Sequence, residues 1–214
     1  MKVLRWIGNS FIVLGATLLF FVVYELYGTS FITNHHQQVL AETFDASLPH
    51  PAEAPSGSKP AAKPVRYTGP PIVARMIIPK IGLDKIAVQG TSLYALAYGP
   101  GHYLDTPLPG RPGTTAFACH RTGWGSPCIN LDKVGPGDEV IFETKDGCKT
   151  PPCRFVYKIT HVRQVEAGDG WVLKGDPTST AKYKLTLTTC TPKYTSLHRL
   201  IFWGDLVSAP YAAT

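Results

Sequence analysis

A cysteine near the end of the chain stands where a strand is predicted to open into a loop. Polar residues alternate with leucines from Lys184 to Thr188, which is the period-two pattern of a half-buried strand, and Cys190 follows shortly after. Pro192 cannot continue a hydrogen-bonded ladder, so the strand is expected to end beside the cysteine. The sequence therefore predicts a thiol at the rim of a sheet.

An arginine begins the next predicted strand. Arg199 stands nine residues after Cys190 and directly precedes the apolar residues 200–203. A hairpin between the two strands would return the guanidinium to the thiol. Because the thiolate is the nucleophile and a free thiol titrates at about 8.5, a fixed cation beside the sulfur is a means of making a cysteine reactive at neutral pH.

The segment T-L-x-T-C followed by an arginine resembles the signature of sortases, the membrane-anchored cysteine transpeptidases of Gram-positive bacteria. The upstream half resembles class E sortases of actinobacteria, and the similarity covers residues 72–207. His120 stands 70 residues before Cys190 in the same order as in that family. The other matching segments are GPGHY at 99–103, LPG at 108–110, AFACHRT at 116–122 and PGD at 136–138.

The chain from residue 72 onward is predicted to be mainly β. About eight short strands separated by Gly and Pro turns indicate a closed or nearly closed barrel, although the pattern alone does not distinguish a barrel from a sandwich. The resemblance implies the eight-stranded β-barrel of sortases with short helices. Besides the two strands around Cys190, we predict strands at 73–78, 86–88, 114–119, 139–144, 154–160 and 161–165, and short helical turns at 92–97 and 129–134.

The first 27 residues predict a membrane anchor. Lys2 and Arg5 precede an apolar run over residues 6–24 that carries no charge and approaches the length needed to cross a bilayer as a helix. Cations before the run favour a cytoplasmic N-terminus, with the rest of the chain outside the cytoplasmic membrane. A cleavable signal peptide is the alternative, but its apolar core is normally shorter and no A-x-A site follows here.

The next segment, residues 28–71, is predicted to be an extracellular stalk. From about residue 44 it is rich in Pro, Ala, Ser, Gly and Lys, a composition that favours extended, polyproline-like states. We expect it to hold the catalytic domain, residues 72–214, away from the membrane. Residues 28–43 either continue the membrane helix briefly or belong to the solvated stalk, and a metal site at His35 and His36 is the weaker alternative.

The five cysteines fit an exported domain. A bridge between Cys148 and Cys153 would close a hairpin tip, and one between Cys119 and Cys128 would close the loop after His120. This pairing leaves Cys190 free, but four cysteines allow three pairings and the sequence does not choose among them. Sortases usually have glycine where Cys119 stands, and a redox pair between Cys119 and Cys190 is the alternative.

The resemblance implies the chemistry. Cys190 would attack a Thr–Gly bond in a C-terminal L-A-x-T-G-like or L-P-x-T-G-like sorting signal, form a thioacyl-enzyme and pass the acyl group to the amine of a peptidoglycan precursor or cross-bridge. His120 would transfer protons, and Arg199 would stabilise the oxyanion or hold the substrate backbone. The class E resemblance places Tyr103 near the substrate groove, whereas Thr189 either contributes to the oxyanion site or packs in the core.

Several other classes are disfavoured. The net charge is +6, but the basic residues are scattered, so we predict no nucleic-acid partner, and the dispersed acidic residues predict no metal site and no cofactor. A pilin-polymerising sortase would usually carry a lid with an aspartate–aromatic pair, which the segment before residue 72 lacks. A non-catalytic envelope thiol or disulfide scaffold protein is the alternative from another class, but the chain has no C-x-x-C motif.

Overall fold

Within the residues that the structure describes, eight strands, three α-helices and a few short 3-10 helices make up the regular structure. The computed structural model describes residues 2–24, 28–49, 67–121, 123 and 125–210. The helices are α1 (Lys2–Val23), α2 (Thr29–Ala46) and α3 (Leu93–Leu96). The strands are β1 (Ile72–Ile78), β2 (Leu83–Gln89), β3 (Gly101–His102), β4 (Gly113–Ala118), β5 (Glu139–Thr144), β6 (Cys153–Glu166), β7 (Tyr183–Thr191) and β8 (His198–Ser208).

The strands close into a barrel in the order β1-β2-β3-β4-β7-β8-β6-β5. The pairings β2–β3 and β4–β7 are parallel, whereas β7–β8 and β6–β8 are antiparallel. Closure leaves no long unpaired edge, which a sandwich of the same strands would have. The predicted mainly β fold is therefore confirmed, and the choice between barrel and sandwich is decided for the barrel.

The barrel interior is filled by the apolar members of the alternating patterns. Leu185 and Leu187 of β7 are at most 2% exposed and pack with large side chains from the facing strands. The rings of Phe117 and Phe142 stack with centroids 4.6 Å apart. Burying a side chain of this size stabilises the fold by about 1.5–3 kcal/mol, so this interior is what holds the strand ends, and thus the candidate site, in place.

Strand β6 is continuous, whereas the sequence predicted separate strands at 154–160 and 161–165. The register against β8 shifts between Ile159 and His161, which pair with Gly204 and Trp203 respectively. The extra residue, Thr160, donates its hydroxyl to the Trp203 carbonyl at 3.2 Å. Such a bulge bends one strand without ending it. The strand boundary predicted between residues 160 and 161 coincides with this bend.

Helix α2 packs on the barrel, which differs from the predicted stalk. Leu40 and Phe44 are fully buried in a cluster with Ile86 of β2. The amide of Gln37 donates to the Ile86 carbonyl at 2.8 Å and accepts from the Ile86 N–H at 2.7 Å. The His35–His36 pair is not a solvated pair either, because the ring of His36 stacks on Tyr98 at 4.1 Å.

The two flanks of the proline-rich segment both return to this helix. Leu48 and Tyr67 pack against the cluster that contains Leu40 and Phe44. The extended state predicted for the segment falls mostly on residues 50–66, which lie outside the described residues. The described residues on both sides of residues 50–66 therefore pack with the domain.

Helix α1 has the properties of a membrane span. It is 22 residues long, is strongly apolar, and has no buried residue within the described helix. At 1.5 Å per residue, a helix of this length matches the roughly 30 Å hydrocarbon core of a bilayer. By length and composition, the described part of the chain has one helix, near the N-terminus, that could cross a membrane.

Candidate active site

The thiol and the guanidinium belong to directly paired residues. Cys190 of β7 lies opposite Arg199 of β8 in the antiparallel register, so both side chains leave the same face of the hairpin. Cys190 is half-buried and free. The Nη1 of Arg199 donates to the carbonyls of Ser196 and His198 at 3.0 and 3.1 Å, which holds the arginine against the β7–β8 loop.

His120 approaches the same position from the other side of β7. The parallel ladder of β4 and β7 ends at the pair Ala118 and Thr188. His120 and Cys190 each follow two residues later, so the chain brings them out at neighbouring strand ends. The three residues predicted to do the chemistry are thus brought together, with Cys190 on the strand between those of His120 and Arg199.

The environment of His120 favours a neutral imidazole. Burial lowers the pKa of His120 below its usual value, because a desolvated ring holds a proton less well. Its Nε2 is buried and has no hydrogen-bond partner among the residues that the structure describes. A nitrogen in this state is available to exchange a proton with a group that enters the site.

The two disulfides connect the four other cysteines and leave the thiol of Cys190 free. Cys119 is bonded to Cys128, and Cys148 is bonded to Cys153. The first bridge closes the loop that begins with His120, and the N–H of Cys128 donates to the His120 carbonyl at 3.0 Å. The histidine is therefore fixed on its N-terminal side by β4 and on its C-terminal side by the bridge, and Cys119 is not available to Cys190.

Thr189 faces the barrel interior rather than the site. It is 3% exposed, and its hydroxyl donates to the Cys119 carbonyl at 2.7 Å. Because side chains alternate along a strand, the neighbour of Cys190 must point to the other face of the sheet. The Thr189 side chain therefore takes the second of its two predicted roles, core packing, rather than the substrate-binding role at the oxyanion site, and its hydroxyl links β7 to the end of β4.

A groove runs along the outer face of the sheet towards Cys190. It encloses about 210 Å³, and its floor includes Thr188, Ile201 and Arg199. The hydroxyl of Tyr103 lies 2.9 Å from that of Thr188, so the predicted tyrosine stands in the wall of the groove. The remaining lining comes from Val165, residues 167–170, Val172 and Leu173.

The opposite wall is the turn between β6 and β7, which the sequence analysis did not assign to the site. The Val172 carbonyl accepts hydrogen bonds from the Thr186 hydroxyl at 3.1 Å and from Trp203 Nε1 at 3.0 Å. These bonds fasten the turn Gly170–Lys174 over the outer face of the barrel. Thr188 could have been found from the sequence, since it is two residues before Cys190 and shares its face.

The other histidines of the barrel serve local structure. His102 is buried, and its Nδ1 and Nε2 lie 3.1 Å from the Gln89 amide and the Pro107 carbonyl. His161 Nδ1 contacts the Asp176 carboxylate at 2.7 Å. Within the described part of the chain, no group of three or more His, Cys, Asp or Glu side chains is placed to hold a metal ion.

The barrel and the site define a class of protein, a thiol enzyme arranged for acyl transfer. The chain belongs to the sortase family, because residues 76–207 match the sortase domain and because a curated sortase is similar over nearly the whole length. That relative, sortase SrtE2 of Streptomyces coelicolor, is 32% identical over 212 residues, which is 94% of this chain and 81% of the relative. Sortases are cysteine transpeptidases, so the chain is an enzyme of that kind.

Further similarities are to class E members, which confirms the resemblance. Sortase SrtE1 of S. coelicolor is 29% identical over 95% of this chain and 57% of its own. The structure of sortase E from Streptomyces avermitilis is 35% identical, with a TM-score of 0.56 over 67% of this chain and 92% of that one. Sortase E1 of S. coelicolor, solved with a tripeptide in the active site, is 29% identical, with a TM-score of 0.58 over 65% and 90%.

Proposed function

We propose that this sortase is a membrane-anchored transpeptidase that cleaves a C-terminal L-A-x-T-G-like or L-P-x-T-G-like sorting signal between threonine and glycine. The observation that carries the proposal is the placement of Cys190 between His120 and Arg199 at the ends of three adjacent strands. A thiol, a proton carrier and a fixed cation are the groups that acyl transfer through a covalent intermediate requires.

The first half-reaction makes the thioacyl-enzyme. The thiol of Cys190 gives its proton to the neutral ring of His120, and the resulting thiolate adds to the threonine carbonyl carbon. The tetrahedral intermediate then collapses by breaking the Thr–Gly C–N bond. His120, with its unpartnered Nε2, donates the proton that the departing glycine nitrogen needs. The result is a thioester on Cys190 and a released peptide with a free amino group.

The second half-reaction passes the acyl group to an amine. The incoming nitrogen, from a peptidoglycan precursor or cross-bridge, attacks the thioester carbonyl and gives its proton to His120. The C–S bond breaks and the thiolate of Cys190 is regenerated. His120 thus accepts the thiol proton, passes it to the leaving nitrogen and later accepts a proton from the incoming amine. The lowered pKa of the desolvated ring keeps the imidazole neutral, as the accepting steps require.

Arg199 stabilises the charge that develops on the carbonyl oxygen in both tetrahedral intermediates. It shares the face of Cys190 by register, and a fixed cation near a developing oxyanion lowers the barrier because it needs no reorganisation during the reaction. Arg199 also lines the groove with Tyr103. The same guanidinium is therefore placed to hold the backbone of a bound peptide.

The groove receives the peptide on the N-terminal side of the cleaved bond. Tyr103 and Thr188 form a polar pair in a wall that also carries the apolar side chains of Val165, Leu173 and Ile201, and this mixture suits an extended peptide with small or apolar side chains. The similar sortase E1 holds a tripeptide in its active site, and this supports a peptide as the occupant. Helix α1 anchors the enzyme in the cytoplasmic membrane, with the barrel on the outer side.

The test is a transfer assay with the full chain in lipid vesicles. L-A-x-T-G and L-P-x-T-G peptides are incubated with and without triglycine, and the products are identified by mass spectrometry. We expect a threonine–triglycine product that is absent with Cys190→Ala and with His120→Ala. Release of glycine-starting fragments without any amine-linked product, at saturating triglycine, would show a protease instead of a transpeptidase.

A further inference from the structure

The barrel is tethered to the membrane span by a very short connection. Helix α2, which packs on the barrel, begins at Thr29, and α1 ends at Val23. Even fully extended, the five residues between them reach roughly 17 Å. Tyr24 and Gly28, the described residues at its two ends, lie close together, because an added Cβ at Gly28 would stand 2.8 Å from the Tyr24 ring.

The first turns of α2 belong to an exposed apolar surface. Four of its residues are named here the lipid-facing patch: Phe31, Ile32, Leu93 and Tyr94, which are 77%, 37%, 72% and 60% exposed. Tyr94 belongs to an aromatic contact that also includes His36 of α2. Ile32 precedes His36 by one helical turn on the same face of α2.

Aromatic packing joins the α2 part of this patch to the α3 part. The His36 ring stacks on Tyr98, and the ring of Tyr98 meets that of Tyr94 edge-on with centroids 5.3 Å apart. The Thr33 hydroxyl also donates to the Ala97 carbonyl at 3.2 Å. The patch is therefore one rigid surface at the end of the domain nearest to the span.

We propose that the lipid-facing patch rests on the outer surface of the bilayer and that the enzyme works against the membrane rather than at a distance from it. A short tether leaves this end of the domain within reach of the headgroups. Exposed Phe, Ile and Leu gain from burial in the acyl boundary, and Tyr is enriched at this interface because its ring is apolar and its hydroxyl remains wet.

Contact between the lipid-facing patch and the bilayer would place the candidate active site near the membrane surface. Gly125 packs on the first turns of α2, where an added Cβ would lie 3.1 Å from Ser30 and 3.3 Å from Thr33. Gly125 belongs to the loop that the Cys119–Cys128 bridge closes and that His120 begins.

The test uses photo-cross-linking of the full chain in vesicles of phosphatidylcholine and phosphatidylglycerol. The photoreactive p-benzoylphenylalanine replaces Tyr94 in the patch, Phe20 in α1, or Lys149 in the hairpin between β5 and β6, one at a time. Lys149 is the control because this hairpin adjoins the strand end near Arg75, which pairs with Asp45 at the far end of α2. Adducts are identified by mass spectrometry.

We expect lipid adducts at positions 94 and 20 and none above background at 149. Lipid adducts at 20 without any at 94 would overturn the proposal and leave the anchor intact. No lipid adduct at 20 would contradict the anchoring on which the proposal rests, and so overturn it as well. An adduct at 94 to a second protein chain would show that the patch is a self-association surface. Activity plays no part in this readout, so its failure is separate from failure of the proposed transpeptidation.

Discussion

Cys190 and Arg199 are opposite members of one antiparallel pair, so the thiol and the guanidinium leave the same face of a single hairpin. The relationship follows from the register of β7 and β8 rather than from a flexible loop. Thr188 and Ile201, the next pair on that face, continue the surface into the floor of the groove. A substrate carbonyl above the sulfur is therefore within the field of the cation.

Removal of the cation should slow the chemistry. We expect Arg199→Ala to lower kcat/KM by about 10²–10³-fold, because an oxyanion would lose a fixed positive partner. Arg199→Lys should recover part of this loss, since the charge remains but the planar donor geometry does not. Steady-state kinetics with a fluorogenic sorting-signal peptide measure both.

The matched control for this arginine is Arg154→Ala. Arg154 lies at the start of β6, pairs with Glu143 at 2.8 Å and is exposed, so its loss removes the same charge far from the site. We expect it to leave kcat/KM within about two-fold, as exposed ion pairs contribute little. Equal losses from Arg154→Ala and Arg199→Ala would point to net charge rather than to a local role.

The pH dependence of kcat/KM should reflect the titration of His120. Because burial lowers the pKa of His120, the acid limb of kcat/KM should have its midpoint below the ordinary histidine value of about 6.5. The depressed pKa also means that the unfolded chain binds this proton more tightly. The stability contributed by neutral His120 is thus complete above about pH 6.5, the ordinary pKa of histidine in an unfolded chain. It is lost as the pH falls through the lower pKa of His120 in the folded protein.

A direct titration separates this histidine from other groups. The ring protons of His120, assigned by comparison with His120→Gln, are followed by NMR in the Cys190→Ala background. A midpoint at or above the ordinary histidine value, in both the titration and the acid limb, would contradict the effect of burial.

The two disulfides should differ in what they do. Each closes a short loop, so either double Cys→Ser variant should lose roughly 2–3 kcal/mol of stability. Removing the Cys119–Cys128 bridge should in addition lower kcat, because the loop that fixes His120 is released. Removing the Cys148–Cys153 bridge, which lies at the other end of the barrel strands, should leave kcat unchanged at a temperature where both variants are folded.

The measurements are thermal unfolding and steady-state kinetics of the two double variants side by side. An unchanged kcat in the Cys119→Ser, Cys128→Ser protein would show that β4 alone positions His120. A parallel loss of kcat in both variants would instead indicate a general effect of destabilisation.

The folded unit should include α2. Leu40→Ala removes a fully buried side chain between α2 and β2, and we expect a loss of about 2–5 kcal/mol. Gln38→Ala, on the exposed side of the same helix, should change stability by less than about 0.5 kcal/mol. Thermal or urea unfolding of residues 28–214 provides the measurement, and equal stability of the two variants would mean that α2 does not pack on the barrel.

Patterns in the sequence predicted most of the barrel. Strand β5 was predicted with the observed bounds, and the helical turn predicted at 92–97 contains α3, which Ser92 caps by accepting from the Ala95 N–H at 3.2 Å. Strand β3, with two residues, has no periodicity to detect and exists through its pairing with β2 and β4. The bulge in β6 is likewise a property of register, because it depends on which residues of β8 lie opposite.

The parts of the candidate site that depend on the sequence motif and on the alternation of side chains along a strand were predictable. The residue types and spacing of His120, Cys190 and Arg199 indicated the chemistry, and strand alternation would have placed Thr189 in the interior. The groove wall formed by the turn Gly170–Lys174 was not predictable, because hydrogen bonds to one carbonyl, that of Val172, hold it there. The docking of α2 depends similarly on Gln37, a polar residue whose partners are distant in sequence.

The most direct measurement is the mass of the enzyme during turnover. Residues 28–214 are mixed with an L-A-x-T-G peptide without an amine acceptor, quenched in acid and digested for peptide mapping. We expect an adduct on Cys190 with the mass of the acyl part that ends in threonine. Triglycine should remove this adduct, and Arg199→Ala should slow its formation. Cleavage of the peptide with no adduct on Cys190, or with an adduct at another residue, would contradict the assignment of Cys190 as the nucleophile.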